Sequence, residues 1–301
     1  MAGRFAPSPT SDLHLGNLRT ALLAWLFARS SGRGFLLRIE DLDQARVAAA
    51  EGVAARQLAD LAALGIDHDG EIVRQSERTA LYEAALARLD VYECYCSRRE
   101  IADSAQAPHG DGHRPYAGTC RDLTERERAA KRAVRPTALR VRAAGVTWTA
   151  PDELYGPVTG VVDDFVVRRG DGTFAYNLAV VVDDGLQRVD QVVRGDDLLS
   201  SVPRQAWLAD RLGLATPSYV HVPLAVAPDG RRLSKRDGAV SMLDLRGRGV
   251  SAQQVLSRIA ASLGMAEPGE TVTARDLLRR FDPAALPREP WVVTPEEAQA
   301  S

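Results

Sequence analysis

The 301-residue chain holds little cysteine and almost no lysine: Cys94, Cys96 and Cys120 are its only thiols, and Lys131 and Lys235 its only lysines. An odd number of clustered cysteines cannot all pair with one another, which argues against a disulfide framework and favours a metal site in a reducing compartment. No apolar run approaches the roughly 20 residues needed to span a bilayer, and the N-terminus shows no charged lead followed by an apolar stretch. A cytoplasmic protein with no membrane partner is expected. Charge of one sign is also missing: 38 basic and 40 acidic residues leave a net charge of -2. Nucleic acid is therefore not attracted globally, and any grip on RNA has to be a local patch. What is present is ordinary for a globular protein, with 45% hydrophobic and 26% charged residues. Against a basic set that is nearly all arginine, a retained lysine is informative, because ammonium and guanidinium are not interchangeable.

The first forty residues read as a βαβ unit. An apolar start at Phe5 and Ala6 leads into a Pro/Ser/Thr-rich loop over 7–11, then a helical pattern over 15–30 with Leu18, Leu22 and Leu26 on one stripe. Gly32 and Gly34 end it, and 35–39 reads as a buried strand. The expected fold class is α/β: a Rossmann-like parallel sheet with a right-handed crossover, binding nucleotide near a helix N-terminus. Helices are expected over 48–64, 77–89, 200–212, 252–263 and 274–281, with a helix-like arginine-dense run over 121–135. Strands are expected over 138–141, 161–168, 174–182, 188–193 and 220–226. Residues 92–135 differ in character, holding every cysteine and a Gly/His/Pro-rich loop, and read as an insertion. The organisation expected is a first core half over 1–90, the insertion over 91–136, a second core half over 137–240 and a short helical tail over 241–301. No apolar heptad seam is visible, so a monomer is expected.

Two short strings carry phosphate chemistry. HLGN over 14–17 sits where the first loop meets its helix. Gly16 lets backbone approach a nucleotide, His14 can donate to a phosphate oxygen, and the helix end adds amides and dipole. Taken alone, His14 reads more readily as a surface or capping residue. Downstream, RRLSKRDG over 231–238 follows a strand and the turn PDG over 228–230. A basic loop of this kind can close over a triphosphate, with Lys235 neutralising charge as pyrophosphate leaves; alone, it reads as an exposed basic turn.

The two strings do not stand alone. Together with RFAPSPT over 4–10, RIEDLD over 38–43, FAYNLAVVVDD over 174–184 and VRGDD over 193–197, they resemble the class I aminoacyl-tRNA synthetases, and within them the glutamyl branch. The resemblance runs from Arg4 to about Asp237. It matches 14–17 to the family's first signature and 232–236 to its second. Asn17 stands for the second histidine of the first signature, and Arg232 and Arg236 for a lysine and a serine of the second, while Lys235 is intact. The resemblance implies ATP binding by His14, Gly16, Asn17, Ser234 and Lys235, with His14 and Lys235 catalytic. It places Arg4, Ser8, Glu40, Tyr176 and Arg194 around glutamate. A carboxylate such as Glu40 suits the α-ammonium, and arginine forks suit substrate carboxylates through paired charged hydrogen bonds.

Structural zinc takes four ligands, and Cys94, Cys96 and Cys120 supply three. Chemistry alone nominates His109 or His113 as the fourth; the resemblance points instead to Tyr116. Such a zinc ion folds the insertion, while Mg²⁺ accompanies ATP. Full-length glutamyl enzymes continue well beyond the second signature into an anticodon-binding region, whereas some 60 residues follow here, too few for a second large domain. The resemblance is therefore to shortened glutamyl-branch enzymes that activate glutamate without RNA and transfer it to the queuosine base in the anticodon loop of tRNA(Asp). The alternatives are a minimal enzyme charging the 3′ end of tRNA(Glu) and a non-catalytic zinc-containing RNA-binding relative. Arginines over 121–142 suit phosphates or a solvated helix face balanced by Asp122, Glu125 and Glu127.

Overall fold

The structure, a computed structural model, describes residues 1–97, 99–101, 115–231, 233 and 240–294. In chain order the first half contains β1 (Ala2–Phe5), α1 (Leu15–Ser30), β2 (Gly34–Ile39), α2 (Gln44–Ala48), α3 (Val53–Ala63), β3 (Val73–Arg74), α4 (Thr79–Leu86), β4 (Val91–Cys94), α5 (Glu125–Arg132) and β5 (Ala138–Val141). There follow β6 (Val146–Asp152), β7 (Gly156–Val162), β8 (Val166–Arg168), α6 (Tyr176–Leu186), β9 (Gln191–Gly195) and α7 (Val202–Arg211). The last elements are β10 (Ser218–Val222), β11 (Ala225–Val226), α8 (Met242–Gly247), α9 (Ala252–Ser262), α10 (Ala274–Arg280) and β12 (Trp291–Val292). The chain divides into two compact units.

The first unit comprises Met1–Arg74, Gln191–Asp196 and Val220–Ser301. Its parallel sheet runs β1-β2-β3, with Ala2 opposite Gly34 and Arg38 opposite Val73. The helix α1 makes the expected crossover, but it is buried on more than one stripe. Leu18, Ala21, Leu22, Leu26 and Ala28 are wholly inaccessible. Burying each of the three leucines contributes roughly 1.5–3 kcal/mol. Small residues let helix and strand close in: a Cβ on Gly3 of β1 would lie 2.9 Å from the Cβ of Ala28. The helix expected over 48–64 is in fact two, because Gly52 turns the chain at φ +73° and becomes the N-cap of α3. The strand expected over 220–226 also divides into β10 and β11, the second pairing in parallel with β12. Each of α8, α9 and α10 starts on a reciprocal cap, through Ser241 with Asp244, Ser251 with Gln254 and Thr273 with Asp276.

The second unit comprises Gln75–Asp190 and Asp197–Tyr219. An antiparallel sheet β4-β5-β8 backs the cysteine region, and β6 and β7 form a hairpin. The segment 174–182, expected as a strand on its run of valines, is helix from Tyr176 onward. Tertiary burial overrides the β preference here. In the helical form Leu178, Ala179 and Val180 enter the core, and Asp183 reaches a buried position where it accepts from Gln75 Nε2 at 2.9 Å, Arg78 Nε at 2.6 Å and Tyr82 Oη at 2.8 Å. The strand expected over 161–168 is interrupted between Val162 and Val166, where Asp163 and Asp164 turn their carboxylates onto other segments. The run 121–135 is helical only over Glu125–Arg132.

Candidate active site and metal centre

Because β1 and β2 are parallel, their C-terminal ends open on one edge, carrying residues 6–14 and Glu40 respectively. His14 closes the first loop as the N-cap of α1. Its Nδ1 accepts the Asn17 N–H at 3.3 Å, and its own N–H donates to Asn17 Oδ1 at 3.3 Å. With Nδ1 committed as acceptor in the cap, a neutral imidazole carries its proton on Nε2. Gly16 is needed by its own surroundings, since a Cβ there would lie 3.1 Å from both the Ala225 Cβ and the His14 ring.

The second basic string lies largely outside the described residues, which leaves Arg232, Ser234 and Lys235 without a described position. Its flanks are described. The Ala227 N–H donates to Arg231 O at 2.8 Å, and beyond the string Ser241 forms an antiparallel bridge with His14. The Met242 N–H adds a bond to Leu13 O at 3.4 Å. The first string and the far flank of the second are therefore hydrogen-bonded neighbours in the fold, 227 residues apart in sequence (241 - 14).

Arg4 on β1 and Arg194 on β9 are each only 5% exposed. These two strands lie beside one another within the first unit. Arg194 Nε donates to Nε2 of the inaccessible His221 on β10 at 3.0 Å. Glu40 is tied to the first loop by its N–H, which donates to Pro7 O at 3.0 Å, and its Oε1 lies 3.4 Å from an Arg38 amino group. Ser8 is exposed, and its carbonyl is held from behind: Gln57 Nε2, on α3, donates to Ser8 O at 3.1 Å and Ser11 O at 2.7 Å. Tyr176 opens α6 in the second unit and is 40% exposed; its assignment rests on the sequence resemblance.

Within the second unit, the sulfurs of Cys94, Cys96 and Cys120 lie within 4.8 Å of one another. The phenol oxygen of the buried Tyr116 stands among them, 3.5 Å from Cys94 Sγ, 3.7 Å from Cys96 Sγ and hydrogen-bonded to the Cys120 N–H at 2.8 Å. Three soft sulfurs and one oxygen around a common point suit a tetrahedral ion. His109 and His113 lie outside the described residues. Burial pushes the Cys96 thiol up to about 12. Burial acts on Cys120 in the same direction but is outweighed by hydrogen bonds from the Tyr95 backbone and the Tyr116 hydroxyl, leaving that thiol below its ordinary value. The knuckle is held by adjacent carboxylates: Asp163 accepts the Tyr116 N–H at 2.9 Å, and Asp164 accepts Tyr92 Oη at 2.7 Å and Arg121 Nε at 2.6 Å.

A family described as tRNA synthetases class I (E and Q), catalytic domain, matches residues 1–299. The chain belongs to this synthetase family. Among its relatives, a glutamyl-Q tRNA(Asp) synthetase of Nocardia farcinica is 59% identical over 97% of this chain and 93% of its own length. One of the same name from Cutibacterium acnes is 56% identical over 95% and 85% respectively. A crystal structure of a glutamate tRNA ligase from Elizabethkingia meningosepticum, in complex with its amino acid, superposes with a TM-score of 0.78 at 26% identity, over 99% of this chain and 68% of that one.

Several residues around these synthetase motifs escape a reading by signature. Arg38, His221 and Arg140 are polar residues inside apolar strands, a local signal that something besides packing is needed there. Gln57 carries no such signal, since one glutamine in an amphipathic helix looks like any surface residue; only the fold reveals that it is 1% exposed.

Proposed function

We propose that this synthetase activates L-glutamate with ATP to glutamyl-adenylate, without RNA bound, and transfers the glutamyl group to the queuosine base at the anticodon wobble position of tRNA(Asp). The observation that carries this reading is the similarity to the Nocardia farcinica glutamyl-Q tRNA(Asp) synthetase, which extends over nearly the whole of both chains. The geometry of the first unit supports the activation step. Arg4 and Arg194 are buried, permanently charged forks suited to carboxylates, and Glu40 supplies the carboxylate for the α-ammonium. One α-carboxylate oxygen attacks the α-phosphorus of ATP, the bond to pyrophosphate breaks, and the mixed anhydride remains. An RNA hydroxyl then attacks the activated carbonyl and AMP leaves. His14, through Nε2–H, and the first-turn amides of α1 hold phosphate oxygens. Lys235 neutralises the departing pyrophosphate, and Ser234 contributes to ATP binding. These residues position and stabilise charge, and no covalent enzyme intermediate is needed. Mg²⁺ arrives with ATP and screens its phosphates. Cys94, Cys96, Tyr116 and Cys120 would hold zinc, whose contribution is to fold the knuckle.

The test is ATP–pyrophosphate exchange across the common amino acids, followed by transfer of labelled glutamate to tRNA(Asp) with and without queuosine and to tRNA(Glu). Exchange with glutamate and transfer only to queuosine-bearing tRNA(Asp) is the expected result. Labelling of the 3′ end of tRNA(Glu) instead would make the protein a minimal glutamyl-tRNA synthetase. No adenylate with any amino acid would make it a non-catalytic relative.

A further inference from the structure

Arg140, on β5, is 6% exposed and sits against the cysteine knuckle. Its Nε donates to Cys94 Sγ at 3.2 Å, and its guanidinium carbon stands 3.7 Å above the centre of the Tyr116 ring. A terminal nitrogen donates to the Asp164 carbonyl oxygen at 2.6 Å, which fixes the fork in this orientation. Among the described residues no carboxylate makes an ion pair with it.

A guanidinium stays charged in a protein, and burying it without a counter-charge is costly. Its neighbours on two sides are a cysteine sulfur and a phenol, both neutral in their ordinary forms and both anionic as metal ligands. The converse difficulty belongs to the knuckle. Three thiolates and a phenolate around a divalent ion leave the centre with an excess of negative charge, inside a protein where charge is expensive. Each imbalance is the remedy for the other.

We infer that Arg140 is the counter-cation of the metal centre, a positioning residue that lets an oxygen donor complete a set of three cysteine sulfurs. The inference rests on the reading of Cys94, Cys96, Tyr116 and Cys120 as a zinc set. Nε–H bonding to Cys94 orients that sulfur, and the cation over the ring stabilises negative charge on the Tyr116 oxygen through the π-face. Asp163 supplies the other half of the placement by holding the Tyr116 backbone N–H.

The experiment compares full-length wild-type protein with Arg140→Gln, Arg140→Met and Arg140→Lys. Zinc content is measured by elemental analysis, zinc affinity by chelator competition, and ligand geometry by the absorption of the cobalt-substituted protein. The two neutral variants are expected to bind zinc about ten- to a hundredfold more weakly, with altered cobalt bands, and the lysine variant to regain at least about half of the loss on a logarithmic scale. A neutral variant with affinity within about twofold of wild type, or a lysine variant no better than the neutral ones, overturns the inference. If neither neutral variant melts cooperatively, Arg140→Lys decides alone. Retained affinity and cobalt bands support charge compensation, and a loss beyond about tenfold in a folded variant overturns it. Wild-type protein that takes up no zinc overturns the metal reading itself, and this inference with it.

Discussion

Arg194 donates its Nε–H to Nε2 of His221 across 3.0 Å, with both side chains buried. The histidine acts as an acceptor, so a neutral ring carries its proton on Nδ1, and the remaining guanidinium donors of Arg194 are held in a defined plane.

Removing that acceptor should loosen the fork proposed to address substrate carboxylate. A hydrogen bond to a charged group contributes about 1.5–3 kcal/mol, which converts to roughly ten- to a hundredfold. His221→Leu is expected to raise the KM for glutamate by this factor in pyrophosphate exchange while leaving the KM for ATP near its wild-type value. His221→Gln, which keeps an acceptor, should recover part of it. Equal glutamate KM values in wild type and His221→Leu would remove His221 from the site.

His14 caps α1, and its proposed phosphate contact can be separated from that cap by substitution. Asparagine is a good N-cap, so His14→Asn should keep the melting free energy within about 0.5 kcal/mol, whereas His14→Ala should lose about 1 kcal/mol. Adenylate formation should fall by about a hundredfold or more in both, because each lacks the Nε2 donor. Stability and pyrophosphate-exchange rate, measured on the same samples, check the separation; an active His14→Asn variant would reduce the histidine to a cap.

In the second unit, Asp183 is inaccessible and receives donors from Gln75, Arg78 and Tyr82. Asp183→Ala leaves the Arg78 charge without its partner and is expected to cost about 3–5 kcal/mol in denaturant unfolding. Asp183→Leu together with Arg78→Met removes charge from both sides and should be less damaging than the alanine substitution alone. The reverse order would mean that the network is not what stabilises α6.

The acid limb of stability should depend on Asp164. Burial pushes this carboxyl up, but Arg121, Tyr92 and the amides of Ala143 and Ala144 outweigh it, and the net position is below the ordinary 3.8. A depressed native value means that ionised Asp164 contributes fully above the unfolded value and that this contribution is lost as pH falls through the native one. Unfolding free energy is therefore expected to decline below pH 3.8 in wild type. Asp164→Asn should be less stable at neutral pH and show a shallower decline. Parallel pH profiles for the two proteins would contradict this assignment.

Much of the fold that frames the candidate site was legible in order along the chain. The parallel βαβ start, the crossover helix and the strings around His14 and Lys235 are local patterns, and local patterns survive without knowledge of the fold. The helix over 176–186 was not legible, because three successive valines favour a strand until the burial of Asp183 against α4 and Gln75 is known. Nor did spacing choose between histidine and tyrosine at the cysteine knuckle; Tyr116 Oη lies 3.5 Å from Cys94 Sγ, and His109 and His113 lie outside the described residues.

Sequence alone determined the family and the chemistry, because reacting groups have to be particular residue types at particular places along the chain. Tertiary structure alone decided what holds those groups in position: His221 behind Arg194, Gln57 behind the Ser8 loop, Arg140 over Tyr116. The reason is physical. A supporting side chain can come from any segment that folds nearby, so its identity follows from burial and distance, which no one-dimensional spacing records.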